Sequence, residues 1–187
     1  MPRARGKSEL RRSALICGLA HKFPVPRRAR PWHLQRMFEA RIPTSALLLG
    51  LTGLLPFIWG QVTIISDPAA ALTMEWMGPR FIGPYVGLFY GSVILSFMSG
   101  VLWGFATQAE GRVAATGYAL STLPALWAFF MTGGGPTSAA IALVAGYIGL
   151  LGLDWLFWQQ GLAPAWWMKL RLILTAGVVA SLLPIAF

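Results

Sequence analysis

The chain has 187 residues, 56% of them hydrophobic, with 11% charged and a mean hydropathy of +0.63. A water-soluble domain carries about 25% charged residues, so this composition excludes an ordinary soluble fold. The net charge of +9 comes entirely from residues 1–36, which hold ten of the 15 Lys and Arg and one acid, Glu9. From residue 37 onward, Arg41, Arg80, Arg112, Lys169 and Arg171 are balanced by Glu39, Asp67, Glu75, Glu110 and Asp154.

The basic leader, residues 1–36, reads as a disordered segment preceding a transmembrane domain over 37–187. "ALICGLA" after two arginines has the outline of a signal peptide, but seven residues are at the floor for the apolar region, and the following arginines would end on the translocated side. An Arg-rich, acid-poor leader also matches a mitochondrial presequence, or a tail held to anionic lipid. The preferred expectation is an over-extended start, because Met37 opens "MFEARIPTSALLLG", a natural beginning for a membrane protein.

Five apolar runs follow, each long enough to cross a hydrocarbon core of about 30 Å: Thr44–Ile65, 81–106, 113–131, 137–158 and 170–187. Nothing alternates like a barrel strand, so the fold expected is all-α, a polytopic bundle of five transmembrane helices. A cytoplasmic N-terminus puts Arg41, Arg112, Lys169 and Arg171 inside and only Arg80 outside, as the positive-inside rule requires. The C-terminus is then periplasmic. Tryptophans at 59, 76 and 127 fall near the outer boundary, and those at 103, 155, 158, 166 and 167 near the inner one.

The second span carries small residues at every fourth position. Gly83, Gly87 and Gly91 occupy a strip about 80° wide on a helical wheel; Ser92, Ser96, Gly100 and Gly104 continue the interval on another side. Interior glycine costs a helix about 0.8–1 kcal/mol in water. In lipid, where helices associate by close contact, small residues clear the way. Helix packing is therefore expected along Gly83, Gly87, Gly91, Ser96, Gly100 and Gly104, with the span gripped on different sides in its two halves. Ala142/Gly146 and Ala145/Gly149 in the fourth span, and Ala176/Ala180 and Gly177/Ser181 in the fifth, offer matching surfaces. Pro56, Pro84 and Pro124 are expected to kink their helices, and "GGGPT" at 133–137 reads as a tight turn and not a P-loop.

Groups able to do chemistry are scarce. His21, His33 and Cys17 all lie in the leader, leaving no pair to ligate haem and no cluster for zinc or iron–sulfur. No catalytic, cofactor-binding or metal residues are assigned, the chain is read as not an enzyme, and no nucleic-acid partner is expected. Asp154, in "GLDWLFWQQ", is the ionisable group inside a span, about one turn from its inner end. Arg171 lies at similar depth across a short connection, so a structural Asp154–Arg171 ion pair is favoured over a proton or substrate site. Gln61 and Thr63, with Tyr85, Tyr90, Ser92, Ser96, Ser99, Tyr118, Ser121 and Thr122, are expected to hydrogen-bond between helices.

The segments "RIPTSALLLGLTGLLPF" (41–57), "YGSVILSFMSGVLWG" (90–104) and "LLGLDWLFWQQGLAPAWWMKLRLILT" (150–175) resemble the DUF3429 family, small five-helix membrane proteins related to the animal transmembrane protein 69. The likeness covers about residues 41–183. Asp154, Trp167 and Arg171 fall on the family pattern, whereas Leu102 stands where members often carry a polar residue. The resemblance implies fold and an inner-membrane location, bacterial or alternatively mitochondrial, and no activity. The function expected is a non-catalytic structural, accessory or assembly subunit immersed in the lipid bilayer beside a larger energy-converting complex. The alternative is a small transporter or channel using Asp154 or Gln61.

Overall fold

The computed structural model describes residues 40–187. The expectations for the leader, with Cys17, His21 and His33, lie outside the described residues. Those described form seven α-helices: α1 (Thr44–Thr52), α2 (Leu55–Ile65), α3 (Asp67–Met77), α4 (Gly83–Ala106), α5 (Gly111–Met131), α6 (Pro136–Gln159) and α7 (Trp167–Ala186). Taken together, α1 and α2 make the first of five spans long and apolar enough to cross a membrane, and α4 to α7 make the others.

The first span is broken at Gly53 and Leu54. Pro56 falls in the first turn of α2, where a missing N–H costs nothing, while its ring prevents α1 from running straight through. Pro84 does not kink its helix as expected. Because α4 begins at Gly83, Pro84 lies in the first turn and its fixed φ suits a helix start. Pro124 does lie inside a helix, and the neighbouring backbone N–H of Ala125 donates to Ser99 Oγ of α4 at 2.9 Å.

Between the first two long spans the chain forms α3, which the apolar-run reading missed. Ser66 caps it, accepting a hydrogen bond from Ala69 N, and Asp67 sits in its first turn, where it complements the helix dipole. Its 11 residues are too few to span a bilayer. Leu72, Met74, Trp76 and Met77 are all exposed, which suits a helix lying in the membrane interface.

The spans α4 and α6 are central. In each, 44% of the most apolar stretch is buried, against 17% in the first span. α4 packs against α2, α5 and α6, and α6 also meets α5 and α7. Leu95, Leu102, Ala106, Leu143, Tyr147, Leu150 and Leu182 fill the core with essentially no exposure.

The outer half of the glycine strip lies inside this packing. Gly83, Gly87 and Gly91 are buried; a Cβ on Gly91 would stand 3.1 Å from Leu143 Cδ1 and 3.4 Å from the Phe57 ring, and one on Gly87 at 3.7 Å from Phe57. The inner half requires a correction. Ser96, Gly100 and Gly104 are exposed on the outside of the bundle, a Cβ on either glycine would meet nothing within 4 Å, and Ser96 donates back to Ser92 O of its own helix. The wheel angle that set them apart from Gly87 also turned them away from the other described helices. In the same way Ala142 and Gly146 face inward while Ala145 and Gly149 face out; in α7, Gly177 and Ser181 are half-buried while Ala176 and Ala180 are exposed.

Glycines of the other helices also stand close to their neighbours. A Cβ on Gly117 of α5 would stand 2.9 Å from Ala106 Cβ, one on Gly146 at 2.7 Å from Leu95 Cδ2, and one on Gly60 at 3.0 Å from the Gly83 carbonyl. At the last crossing Thr63 Oγ1 accepts from Gly83 N at 2.9 Å and donates to Gly60 O at 3.0 Å, joining α2 to the start of α4.

Candidate functional site

The candidate site arises from the turn between α6 and α7. Past the end of α6, Gly161 takes φ +76°, a conformation that suits glycine. The N–H of Gly161 then reaches Trp158 O at 3.0 Å and that of Leu162 reaches Phe157 O at 3.1 Å, which is a Schellman closure satisfying two terminal carbonyls. The chain folds straight back, and the first turn of α7 lies beside the last turns of α6.

This return sets Trp167 and Arg171, four residues apart and on one helical face, opposite Asp154. Asp154 is 0% exposed. Arg171 Nε donates to Asp154 Oδ2 at 2.7 Å, and Trp167 Nε1 donates to Oδ1 at 2.8 Å. Each carboxylate oxygen therefore has its own donor from α7. The Trp167 ring is held in turn by an edge contact with Phe105 of α4, with centroids 5.1 Å apart. An ionised carboxylate in an apolar interior is tolerated only when paired and hydrogen-bonded, and this geometry meets that condition.

The pair belongs to a longer polar seam. Tyr147 lies two turns from Asp154 on the same face of α6 and donates to the Gly91 carbonyl of α4 at 2.9 Å. Thr175 follows Arg171 by one turn of α7; its hydroxyl, and Nη2 of Arg171, are buried with no hydrogen-bond partner among the described residues. Gln61 of α2 lies in the bundle apart from this seam and donates to Ser181 O of α7 at 2.7 Å. Among the described residues no three His, Cys, Asp or Glu converge.

The sequence reading missed Tyr147, Thr175 and the carboxylate-binding role of Trp167. Positions 147, 154, 158 on α6 and 167, 171, 175 on α7 do carry a signal: polar or amphipathic residues recur every three to four or seven places on facing stripes. The tyrosine bond also admits a direct check. Tyr147→Phe removes the donor to Gly91 and keeps the ring, so a loss of about 1 kcal/mol is expected, read as a lowered melting midpoint in detergent. An unchanged midpoint would show that the bond contributes nothing to the bundle.

Five apolar spans, two of them joined by a buried carboxylate–guanidinium pair, define a multi-pass α-helical membrane protein. A family profile described as "Protein of unknown function (DUF3429)" matches residues 42–187. The chain belongs to the DUF3429 family. Transmembrane protein 69 of Xenopus tropicalis is 34% identical over 148 residues, covering 75% of this chain and 53% of that protein, so the chain spans about half the length of this curated relative. No solved structure matches.

Proposed function

We propose that the chain is a non-catalytic structural, accessory or assembly subunit of an energy-converting membrane, packed beside a larger membrane complex. The membrane is the bacterial inner membrane, with the mitochondrial inner membrane as the alternative, and the N-terminus is cytoplasmic, on the strength of Arg41, Arg112, Lys169 and Arg171 lying on one side of the spans and Arg80 on the other.

The observation that carries the reading is how the two transport candidates are used. Both oxygens of Asp154 and the amide of Gln61 are taken up by bonds to α7, as suits side chains that hold helices together. The outward Gly100 and Gly104 of α4, Gly149 of α6 and Ala176 and Ala180 of α7 present small surfaces on which another transmembrane helix can approach closely. The transporter alternative draws support from the buried Arg171 Nη2 and Thr175 hydroxyl, which have no hydrogen-bond partner among the described residues.

Extraction in mild detergent with an affinity tag tests the two. Stoichiometric co-purification with a large membrane complex is expected, lost in Gly100→Leu/Gly104→Leu while the folded yield is kept. Purification as a lone homo-oligomer would favour transport.

A further inference from the structure

A groove on the lipid-facing side of the bundle, between α2 and the outer half of α4, has a volume of about 700 Å³. Leu55, Val62, Phe81, Phe89 and Val93 line it, together with one cation, Arg80. We propose that this groove holds one acyl chain of an anionic glycerophospholipid, with the phosphate on Arg80.

Length supports this occupant. Val93 is ten residues into α4 and Leu55 opens α2 ten residues before its end; at 1.5 Å per residue both walls run about 15 Å. That is half of a hydrocarbon core of about 30 Å, hence the depth of a single leaflet. The break at Gly53 and Leu54 places the floor of the groove at mid-membrane. A volume of this order falls within the range of about 300–1,000 Å³ that small-molecule sites occupy.

Charge supports it as well. Arg80 stands in the 3₁₀ turn Pro79–Phe81, immediately before the helix that forms one wall, at the outer end of the groove. Its guanidinium carbon lies 5.0 Å from the centroid of the Phe89 ring, a cation–π contact that keeps the charge over the groove. Among the described residues no salt bridge engages Arg80, and it remains exposed. A cation above an apolar slot one leaflet deep is complementary to a phosphate carrying a fatty chain, and its unneutralised charge favours a headgroup with no amine of its own.

Native mass spectrometry tests the site on the full chain, equilibrated in detergent with equal phosphatidylglycerol and phosphatidylcholine. Because residues 1–36 carry ten basic side chains and themselves attract anionic lipid, the comparison is between variants that share that leader. The wild type is expected to retain one phosphatidylglycerol in preference to phosphatidylcholine. Arg80→Gln should reduce that preference about fivefold, the effect of one basic residue near a lipid surface. Val93→Trp, at a position exposed in the groove wall, should lower retention of both lipids by filling the inner end. Either variant retaining lipid as the wild type does would overturn the proposal, as would a wild type that does not discriminate. Both substitutions are at exposed positions, so a monodisperse elution profile is expected for each.

Discussion

Asp154→Leu is expected to destabilise the bundle by about 3–5 kcal/mol, because it leaves the Arg171 guanidinium buried without its counter-charge. Arg171→Met should cost a similar amount by stranding the carboxylate, although Trp167 still donates to it. The informative variant is the double, Asp154→Leu/Arg171→Met. Replacing a whole buried ion pair by apolar groups is often close to neutral, so most of the folded yield lost in either single variant should return. The remaining deficit should reflect the Trp167 N–H, which then has no acceptor. Reversing the charges, Asp154→Arg with Arg171→Asp, should recover less than the apolar double, because the indole N–H would face a cation. Size-exclusion profiles in mild detergent give the folded fraction. A double variant no better than its parents would mean that Asp154 has a role beyond pairing with Arg171.

The second large effect is expected at Gly117, where α5 crosses α4. A Cβ there would stand 2.9 Å from Ala106 Cβ and 3.6 Å from its Cα, and Ala106 has 0% exposure and no room to move. Gly117→Leu must therefore part the two helices, at about 3 kcal/mol or more. Gly100→Leu adds the same side chain to α4 at a point where a Cβ meets none of the described residues within 4 Å, and should leave the yield of the isolated chain unchanged. Comparing the melting midpoints of the two variants separates close packing from glycine content. Equal midpoints would remove the argument that specific glycines set the helix spacing.

How much of this was legible beforehand differs from residue to residue. The five spans follow from run length, since an apolar stretch of about 20 residues has one stable form in lipid. Gly83, Gly87 and Gly91 fell on one strip because a helix repeats every 3.6 residues. The same arithmetic could not say whether the strip through Ser96, Gly100 and Gly104 met a neighbour, since that depends on where the other helices stand. Gly117 opens a series of small residues with Ser121 and Ala125 at every fourth position; its importance comes from Ala106 lying opposite it, which spacing does not reveal. The helix α3 was hidden because its exposed Leu72, Met74, Trp76 and Met77 make too short an apolar run to register as a span.

Composition and run length by themselves determined that the five spans are helical, that they cross a bilayer and where each crossing begins and ends within a few residues, because hydrocarbon solvates no backbone. The matching depth of Asp154 and Arg171 was likewise written in the chain, through the short connection between them. Tertiary structure alone decided that each carboxylate oxygen takes a separate donor, that Tyr147 ties α6 to α4, and which glycines are pressed against a neighbour. Those outcomes depend on the rotation of each helix about its own axis. In an almost uniformly apolar span the sequence leaves that rotation weakly marked, and packing against the other spans fixes it.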